Sequence, residues 1–276
     1  MTTTEQERPA ARPPGQSSEI AVEISGVSKQ FGRGRGGVTA LNDVDLSVRR
    51  GEFVTIVGAS GCGKSTLLSL VAGLDEPDSG TVRVNGAPVG QSGSTPHSRV
   101  AFMFQDATLL PWLTVRQNVA LAMKLQGLAR DQRQSKVDEL LDLVRLGGKA
   151  DKRPHELSGG MRQRVSLARV LAQDANVVLM DEPLGALDAM TRDTMHYEIE
   201  RILSQLGLTI LFVTHNVREA VRLGDRIVLM SSSPGRVKRV YEVTLPRPRR
   251  MDDADVANRA GLLTDDLREE VRRHVA

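Results

Sequence analysis

The sequence predicts an α/β fold in which helices cover a largely parallel β-sheet. The stretch FVTIVG at 53–58 is apolar throughout, which is typical of a strand buried on both faces. It leads directly into a glycine-rich loop and then into STLLSLVAGL at 65–74, whose apolar residues have helical spacing. Other apolar strand patterns are RVAFMFQ, NVVLMDE, TILFVTH and RIVLMS, which begin at residues 99, 176, 209 and 226. Strands that alternate with helices along a chain indicate a layered α/β core.

A helical segment interrupts this alternation. Residues 114–148 have a helical pattern that starts with a capping box of Thr114 and Gln117. The glycines at 147–148 are expected to end the helix. We therefore predict a helical insert at about residues 106–165, between strands of the sheet.

The two ends of the chain differ from the middle. Residues 1–18 are rich in Pro, Thr, Ser and Glu, and we expect them to be disordered. Residues 251–276 are expected to form a helical tail whose apolar stripe packs on the same domain. The stripe consists of Leu263, Leu267 and Val271. Residues 19–250 then form the main domain.

The composition excludes several classes of protein. The chain of 276 residues is 40% apolar and 26% charged, values that are ordinary for a soluble globular protein. It has no run of about 18 apolar residues, which argues against a membrane-spanning segment. The first residues contain no apolar segment of the kind found in signal peptides. We therefore expect a cytosolic protein.

Neither the charge nor the single cysteine indicates a further binding site. The net charge is +3, and the basic cluster RPRR at 247–250 could meet nucleic acid or anionic lipid. A short solvated run is the commoner explanation for such a cluster. Cys62 lies inside the glycine-rich loop, where a small side chain fits. We interpret it as a packing residue rather than a nucleophile.

The glycine-rich loop at 58–66 carries the first chemical signal. GASGCGKST fits the pattern G-x-x-x-x-G-K-[ST] and stands between a buried strand and a helix, as this motif requires. Its glycines let backbone N–H groups point at phosphate oxygens, near the positive end of the following helix. Lys64 is expected to reach the outer phosphates and Ser65 to bind Mg²⁺. The predicted nucleotide-binding residues of the loop are Gly58, Ala59, Ser60, Gly61, Cys62, Gly63, Lys64, Ser65 and Thr66.

Two acidic residues follow a buried strand and add the prospect of hydrolysis. In VVLMDEP the apolar residues fix the strand in the core, so Asp181 and Glu182 emerge at its carboxyl end. Ligands of open α/β sheets bind at that edge. Asp181 is expected to hold Mg²⁺, directly or through water, and Glu182 to polarise the attacking water.

Two further polar residues follow strands at the same predicted edge. Gln105 comes after VAFMF, and His215 comes after TILFVT. Each alone is more often a structural residue. Beside Lys64 and Asp181, however, Gln105 could sense the metal and the γ-phosphate. His215 could hydrogen-bond the γ-phosphate or the attacking water.

The stretch LSGGMRQRV at 157–165 is a second glycine turn that opens a helix. It lies about 95 residues after the phosphate loop, beyond the helical insert, with no evident reason to fold back onto that loop. A second copy of the chain, related by a two-fold axis, would solve this. We expect a homodimer in which Ser158, Gly159 and Gly160 of one copy close over the γ-phosphate of ATP held by the other.

These motifs resemble those of the ATP-binding subunit of an ABC transporter, and the resemblance covers roughly residues 20–245. LSGGMRQR is similar to the signature motif of that family, GASGCGKST to the Walker A loop and VVLMD to the Walker B strand. The resemblance implies that Glu182 is the catalytic glutamate. It also implies that Gln105 is the glutamine of the Q-loop and that His215 is the switch histidine.

The resemblance adds two nucleotide-binding residues and a subgroup. Asp188, at the end of GALD, corresponds to the D-loop, and Phe31 stands where the family places an aromatic residue that stacks on adenine. The residues that follow Gln105 and those around His215 are similar to the nitrate, sulfonate and taurine import group. The implied fold is a P-loop NTPase core with an antiparallel β subdomain and a helical insert. Residues 19–250 would be its nucleotide-binding domain.

The resemblance also implies a function and partners. It implies an ATPase that uses ATP and Mg²⁺ and powers uptake of a small anionic solute through separate transmembrane permease subunits. The chain would lie at the cytoplasmic face of the cell membrane, with an extracytoplasmic solute-binding protein as an indirect partner and no nucleic acid expected. Leu110, Pro111 and Trp112 are either a groove for a permease helix or, equally, the surroundings of a buried tryptophan.

Other functions stay open from the sequence alone. An ABC-type ATPase that acts on nucleic acid or ribosomes usually has a long coiled-coil insertion or a second nucleotide domain, and this sequence has one motif set and a short insert. An importer of another small solute, or an exporter, would carry the same motifs. A nucleotide-binding module without hydrolysis is disfavoured by the presence of Glu182 and His215.

Overall fold

The computed structural model describes residues 19–32, 37–90 and 100–275, which form two β-sheets and the helices that cover them. The strands are β1 (Ile20–Phe31), β2 (Val38–Arg49), β3 (Phe53–Val57), β4 (Ser79–Val84), β5 (Ala87–Pro88), β6 (Val100–Met103), β7 (Val177–Asp181), β8 (Thr209–Val213), β9 (Arg226–Met230) and β10 (Val237–Glu242). The helices are α1 (Lys64–Val71), α2 (Val115–Leu125), α3 (Arg130–Leu143), α4 (Gly159–Leu171), α5 (Ala189–Leu206), α6 (Val217–Leu223) and α7 (Ala254–Val275). The predicted α/β fold is confirmed. The disorder expected for 1–18 lies outside the described residues.

The larger sheet places the carboxyl ends of its strands at one edge. Its order is β10-β9-β3-β8-β7-β6, with β9, β3, β8, β7 and β6 parallel and β10 antiparallel to β9. Every residue of β3 and β8 is buried, because apolar clusters lie on both faces of the sheet. Asp181 pairs with Val213 in the register of β7 and β8. The residues that follow these two strands therefore emerge side by side.

The smaller sheet is the antiparallel subdomain that the resemblance implied. Its order is β2-β1-β4-β5, and all three of its pairs are antiparallel. Val44, Leu46 and Val48 of β2 are buried and alternate with outward residues. They share an apolar cluster with Leu67 and Leu68 of α1. The subdomain thus packs against the helix that follows the phosphate loop.

The helical segment lies between β6 and β7. The predicted capping box at the start of α2 is confirmed, because the Thr114 side chain accepts from the Gln117 N–H and the Gln117 side chain accepts from the Thr114 N–H. The helical pattern of 114–148 is nevertheless two helices. The break between α2 and α3 includes Gly127, whose φ is +81°. Glycine adopts this left-handed conformation without a Cβ clash.

The expectation that the glycines at 147–148 end α3 is wrong. The helix ends at Leu143, and Arg145 has a left-handed backbone with φ +58°. The Leu146 N–H bonds to the Leu141 carbonyl at 2.7 Å, and the Arg145 N–H bonds to the Asp142 carbonyl at 2.9 Å. These two bonds form a Schellman motif. Arg145 therefore occupies the left-handed position at the end of α3, where glycine is the usual residue.

The C-terminal helix packs on the main domain, as the sequence predicts. Leu263 and Leu267 of α7 contact the apolar cluster of α6, β9 and β10, whereas the side chain of Val271 lies outside the described residues. The RPRR cluster is structural in part, because Arg249 is buried and donates to five backbone carbonyls around α6 and β10. No helix within the described ranges is both long enough and apolar enough to cross a bilayer.

Candidate functional site

The phosphate loop joins β3 to α1, and close contacts require glycine at two of its positions, 58 and 63. A Cβ on Gly58 would lie 2.6 Å from the Cys62 Sγ and 3.0 Å from the Met230 carbonyl oxygen. Gly63 has φ +90°, and a Cβ there would lie 2.6 Å from the Ala40 carbonyl oxygen. Any other residue at these positions would displace the loop. The backbone is thus held in the turned conformation that phosphate binding needs.

The ammonium group of Lys64 lies at the mouth of this loop. Lys64 is the first residue of α1, and its Nζ donates to the carbonyl oxygens of Gly58 and Ala59, each at 2.9 Å. The side chain is buried, which keeps the positive charge close to the loop backbone. A lysine in this position can donate to phosphate oxygens, as the sequence analysis expects.

Cys62 has the properties expected of a packing residue. Its side chain is buried beneath Gly58. Burial raises the pKa of the Cys62 thiol, and the nearby charge of Lys64 opposes that shift. A thiol with a raised pKa is a poor nucleophile at neutral pH because little of it is thiolate.

The Ser65 hydroxyl lies close to the Asp181 carboxylate, near enough to influence the pKa of Asp181. Burial raises the pKa of Asp181, whereas the Ser65 hydroxyl lowers it. No group of three or more His, Cys, Asp or Glu within the described ranges is arranged to hold a metal ion. Mg²⁺ at nucleotide sites uses one or two protein oxygens together with phosphate and water oxygens. A hydroxyl beside a carboxylate fits that donor set.

Glu182 and His215 form a side-chain pair at the edge of the sheet. The Glu182 Oε2 lies 2.9 Å from the His215 Nδ1. Glu182 has φ +44°, and its N–H donates to the Val213 carbonyl of β8 at 3.0 Å. This left-handed turn after β7 directs the chain toward the residues after β8. Such strained backbone is concentrated at functional sites.

Gln105 lies near the same carboxylate. The Gln105 Nε2 and the Glu182 Oε2 are both within 4 Å of the point where a Cβ on Gly185 would stand, at 3.5 and 3.8 Å. The side chain of Gln163, in α4, donates to the Gln105 backbone carbonyl at 2.7 Å. Gln105 is therefore fixed by α4 through its backbone, while its side chain is directed to the edge of the sheet.

The second glycine turn is not part of this cluster within one chain. Ser158 is the N-cap of α4, and its hydroxyl accepts from the Met161 N–H at 3.3 Å. The nearest atom to a Cβ on Gly159 would be in Leu187, and a Cβ on Gly160 would lie 2.4 Å from Thr191. The turn therefore lies against the start of α5.

Asp188 belongs to the same surface as the turn. Its carboxylate accepts from the Thr191 N–H at 3.0 Å, and this bond lowers the pKa of Asp188. Ser158, Gly159 and Gly160 thus share a surface with the predicted D-loop residue, and their close neighbours lie outside the phosphate loop.

Trp112 and Phe31, the two aromatic residues to which the sequence gives possible contact roles, are both on the surface. Trp112 is 67% exposed, so the alternative of a buried tryptophan is wrong. Phe31 is also exposed, and the Lys29 Nζ lies 5.4 Å from the centre of its ring. An exposed ring at the end of β1 is accessible to an adenine base. The role of Phe31 in stacking stays a prediction, and residues 33–36 beside it are outside the described ranges.

Sequence reasoning missed a buried polar cluster behind His215. Thr214, His196 and Glu219 are buried, and Glu219 bonds to both of the others through its two carboxylate oxygens. The three residues lie on different elements, so no motif joins them. The available signal was the position of Glu219 four residues after His215.

Comparisons with known proteins agree with this arrangement. The profile of the family described as ABC transporter matches residues 41–185. The bicarbonate transport ATP-binding protein CmpC of Synechocystis sp. is 46% identical over 235 residues, 84% of this chain and 35% of that protein. The chain thus spans about a third of the length of this relative. The aliphatic sulfonates import ATP-binding protein SsuB of Bacillus cereus is 43% identical, over 83% of this chain and 89% of that protein. The taurine import ATP-binding protein TauB of Burkholderia pseudomallei is 48% identical, over 76% and 80%.

Solved structures have the same fold. The dimeric, post-hydrolysis structure of the ATP-binding cassette MJ0796 bound to ADP and Pi superposes with a TM-score of 0.72 at 31% identity. It covers 82% of this chain and all of that chain. The structure of cbiO1 from Clostridium perfringens also gives a TM-score of 0.72, at 26% identity, over 82% of this chain and 89% of that chain. By profile, relatives and fold, this chain belongs to the ABC transporter family.

Proposed function

We propose that this chain is the ATP-hydrolysing subunit of an importer for a small anionic solute. The observation that carries the proposal is the pairing of Glu182 with His215, on the sheet edge that also holds Lys64 and the Ser65–Asp181 pair. A module that only bound nucleotide would not need a carboxylate and an imidazole held together next to the phosphate loop.

Each group has a task in hydrolysis. The loop backbone and Lys64 bind the phosphates of ATP, and Ser65 and Asp181 hold Mg²⁺ with Gln105 near the γ-phosphate. When bound, Mg²⁺ neutralises charge on the phosphate oxygens. Glu182 accepts a hydrogen bond from the attacking water and orients it, and His215 holds the carboxylate of Glu182 in place.

The active form is a homodimer with ATP at the interface. Two observations favour it: the close neighbours of Gly159 and Gly160 lie outside the phosphate loop, and the cassette MJ0796 has been solved as a dimer with ADP and Pi. In such a dimer the Ser158, Gly159 and Gly160 of one copy cover the γ-phosphate held by the other. Moving the open–closed equilibrium from 1:99 to 99:1 takes about 5.5 kcal/mol, which contacts to two triphosphates can supply.

Permease subunits bind at the surface between the sheet and the helical segment. Trp112 and Phe104 are exposed there, and Phe104 stacks on Phe102 with ring centres 4.3 Å apart. Exposed tryptophan and phenylalanine side chains are typical of protein interfaces. The solute-binding protein acts through the permease, and nucleic acid is not a partner. The relatives named for nitrate, bicarbonate, sulfonate and taurine support the class of solute.

Trapping the dimer tests the hydrolytic part of the proposal. Glu182→Gln should bind Mg-ATP and accumulate as a dimer on size-exclusion chromatography, while phosphate release falls about 1000-fold. The wild-type chain should return to monomer as ATP is consumed. A Glu182→Gln chain that remains monomeric in saturating ATP contradicts the shared site.

Identification of partners tests the transport part. The tagged Glu182→Gln chain is purified with ATP from detergent-solubilised membranes of its own cells, and co-purifying proteins are identified by mass spectrometry. The expected result is a multispanning permease whose neighbouring genes encode a solute-binding protein. Recovery of ribosomes or DNA-associated proteins without a permease would retain the ATPase and overturn transport.

A further inference from the structure

A buried chain of polar side chains lies directly behind His215. His196 of α5, Glu219 of α6 and Thr214 after β8 are between 1% and 5% exposed. One carboxylate oxygen of Glu219 contacts the His196 Nε2, and the other accepts the hydroxyl hydrogen of Thr214. A buried carboxylate is costly unless its oxygens are bonded, so both contacts matter for the fold around it.

These buried side chains also bond to the backbone that carries His215. The Thr214 hydroxyl oxygen accepts from the Asn216 N–H at 3.0 Å, and the Thr214 N–H donates to the Ile56 carbonyl of β3 at 3.2 Å. The Asn216 side chain in turn caps α6, where it accepts from the Arg218 and Glu219 N–H groups. The residues on both sides of His215 are therefore fixed, although its own side chain is exposed.

We propose that Glu219 is a positioning residue for hydrolysis: by bonding Thr214 and His196 it holds the turn 214–216 so that the His215 imidazole stays against Glu182. The proposal rests on the function proposed above. A single small cavity is lined by Glu182, His215, Thr214 and Glu219, so the buried carboxylate and the catalytic pair share one surface. Small displacements at such a site cost much of the rate.

Glu198 is a second buried carboxylate, and its contacts are with residues away from the candidate site. Glu198 of α5 is as buried as His196, and it pairs with Arg145 and Arg201, each at 2.9 Å, at the end of α3 and within α5. Its partners do not include a residue next to the catalytic pair. Glu198→Ala is therefore a matched control for the cost of removing a buried carboxylate.

The test measures ATP hydrolysis and ATP affinity of the full-length chain carrying Glu219→Ala or Glu219→Gln. Glu219→Ala should lower kcat by about 10- to 100-fold with little change in the affinity for a fluorescent ATP analogue. Glu219→Gln should recover most of the rate, since an amide still accepts from the Thr214 hydroxyl and donates to a neutral imidazole nitrogen. Glu198→Ala should lower the melting temperature without this loss of kcat.

Thr214→Val keeps the proposal testable if Glu219→Ala does not fold. It removes only the hydroxyl that links Glu219 to the turn, and its rate should fall in the same direction, with Thr214→Ser restoring it. Because Glu219 acts through His215, neither Glu219→Ala nor Thr214→Val should lower the residual rate of a His215→Ala chain by more than about twofold.

The outcomes separate the two proposals. A wild-type chain that binds ATP without hydrolysing it overturns the proposed function. An active wild-type chain with a normal rate for Thr214→Val and Glu219→Ala overturns the positioning role. A rate loss that persists in full in the His215→Ala background also overturns it, because the effect would then not pass through the imidazole.

Discussion

The phosphate loop at 58–66 and the glycine turn at 157–160 are both glycine-rich and both open a helix, yet one chain completes only the first. Around the phosphate loop, the ammonium group of Lys64 lies against the loop backbone and Ser65 lies close to the Asp181 carboxylate. Around the turn, Ser158 bonds within its own helix and Gly160 packs on Thr191. The same local geometry therefore has two different surroundings.

A helix start becomes a binding site through the groups that face it. The phosphate loop is faced by residues from β7 and β8 of its own sheet, because parallel strands end at one edge. The turn is carried by α4, beyond the helical segment, and its neighbours are at the start of α5. The proposed dimer supplies the missing phosphate from a second copy.

The largest effect is expected from a substitution in the phosphate loop. Lys64→Ala should weaken ATP binding by about 100-fold, since it removes charge-assisted hydrogen bonds to the outer phosphates. Titration with a fluorescent ATP analogue measures this. Lys124→Ala, on the exposed end of α2, is the control and should bind normally. Unchanged affinity in a folded Lys64→Ala chain would remove the loop from the proposed site.

A smaller effect of another kind is expected from the turn. A Cβ on Gly160 would meet Thr191 at 2.4 Å, so Gly160→Ala should shift the start of α4. We expect kcat to fall about tenfold while the ATP affinity of the monomer is unchanged. Gly261→Ala in α7, where a Cβ meets nothing within 4 Å, is the control. Loss of ATP affinity in Gly160→Ala would mean that the turn acts on its own phosphate loop.

Two N-cap substitutions are expected to affect hydrolysis differently. Ser158 caps α4, and Thr114 caps α2 away from the sheet edge. Each change to alanine should cost about 1 kcal/mol of unfolding free energy, measured by urea denaturation. Hydrolysis should fall in Ser158→Ala alone, by several-fold beyond any effect of stability. Equal rates in the two variants would reduce Ser158 to a structural cap.

The smallest effect concerns stability. Because burial raises the pKa of Asp181, the folded state favours the protonated carboxyl, and the stability it contributes is lost as pH rises through the folded-state pKa. At pH 7 the carboxylate opposes folding. Asp181→Asn should therefore raise the Tm of the nucleotide-free chain slightly, while it abolishes Mg-dependent hydrolysis. The gain in Tm should shrink toward the unfolded-state pKa of about 4. A lower Tm at pH 7 would contradict this sign.

The placement of most candidate site residues could be predicted because these residues follow strands. Glu182 and His215 come directly after apolar strands that the sequence identifies, and the topology of a parallel sheet then brings them to one edge. The phosphate loop was predictable for a similar reason, since its contacts are local in sequence. Each of these predictions depends only on the sequence pattern within a single segment.

The remaining features depend on contacts that no local pattern contains. The end of α3 at Leu143 follows from the left-handed Arg145, a conformation that sequence assigns to glycine. The contact between His196 and Glu219 joins two residues that are 23 positions apart in the chain and lie on different helices. Exposure of Trp112 could not be decided either, because an aromatic residue in a loop is compatible with core and surface alike.

The hydrogen bond from Gln163 to the Gln105 carbonyl separates two tasks that share one residue. The bond uses the backbone carbonyl of Gln105, so any side chain at position 105 keeps the bond between α4 and the segment after β6. Substitution of Gln105 should thus remove the proposed contact of its side chain with the γ-phosphate while the bond to Gln163 stays intact. Substitution of Gln163 should remove that bond and leave the Gln105 side chain in place. The two proposed tasks, detection of nucleotide and transmission of movement, can therefore be removed one at a time by mutation.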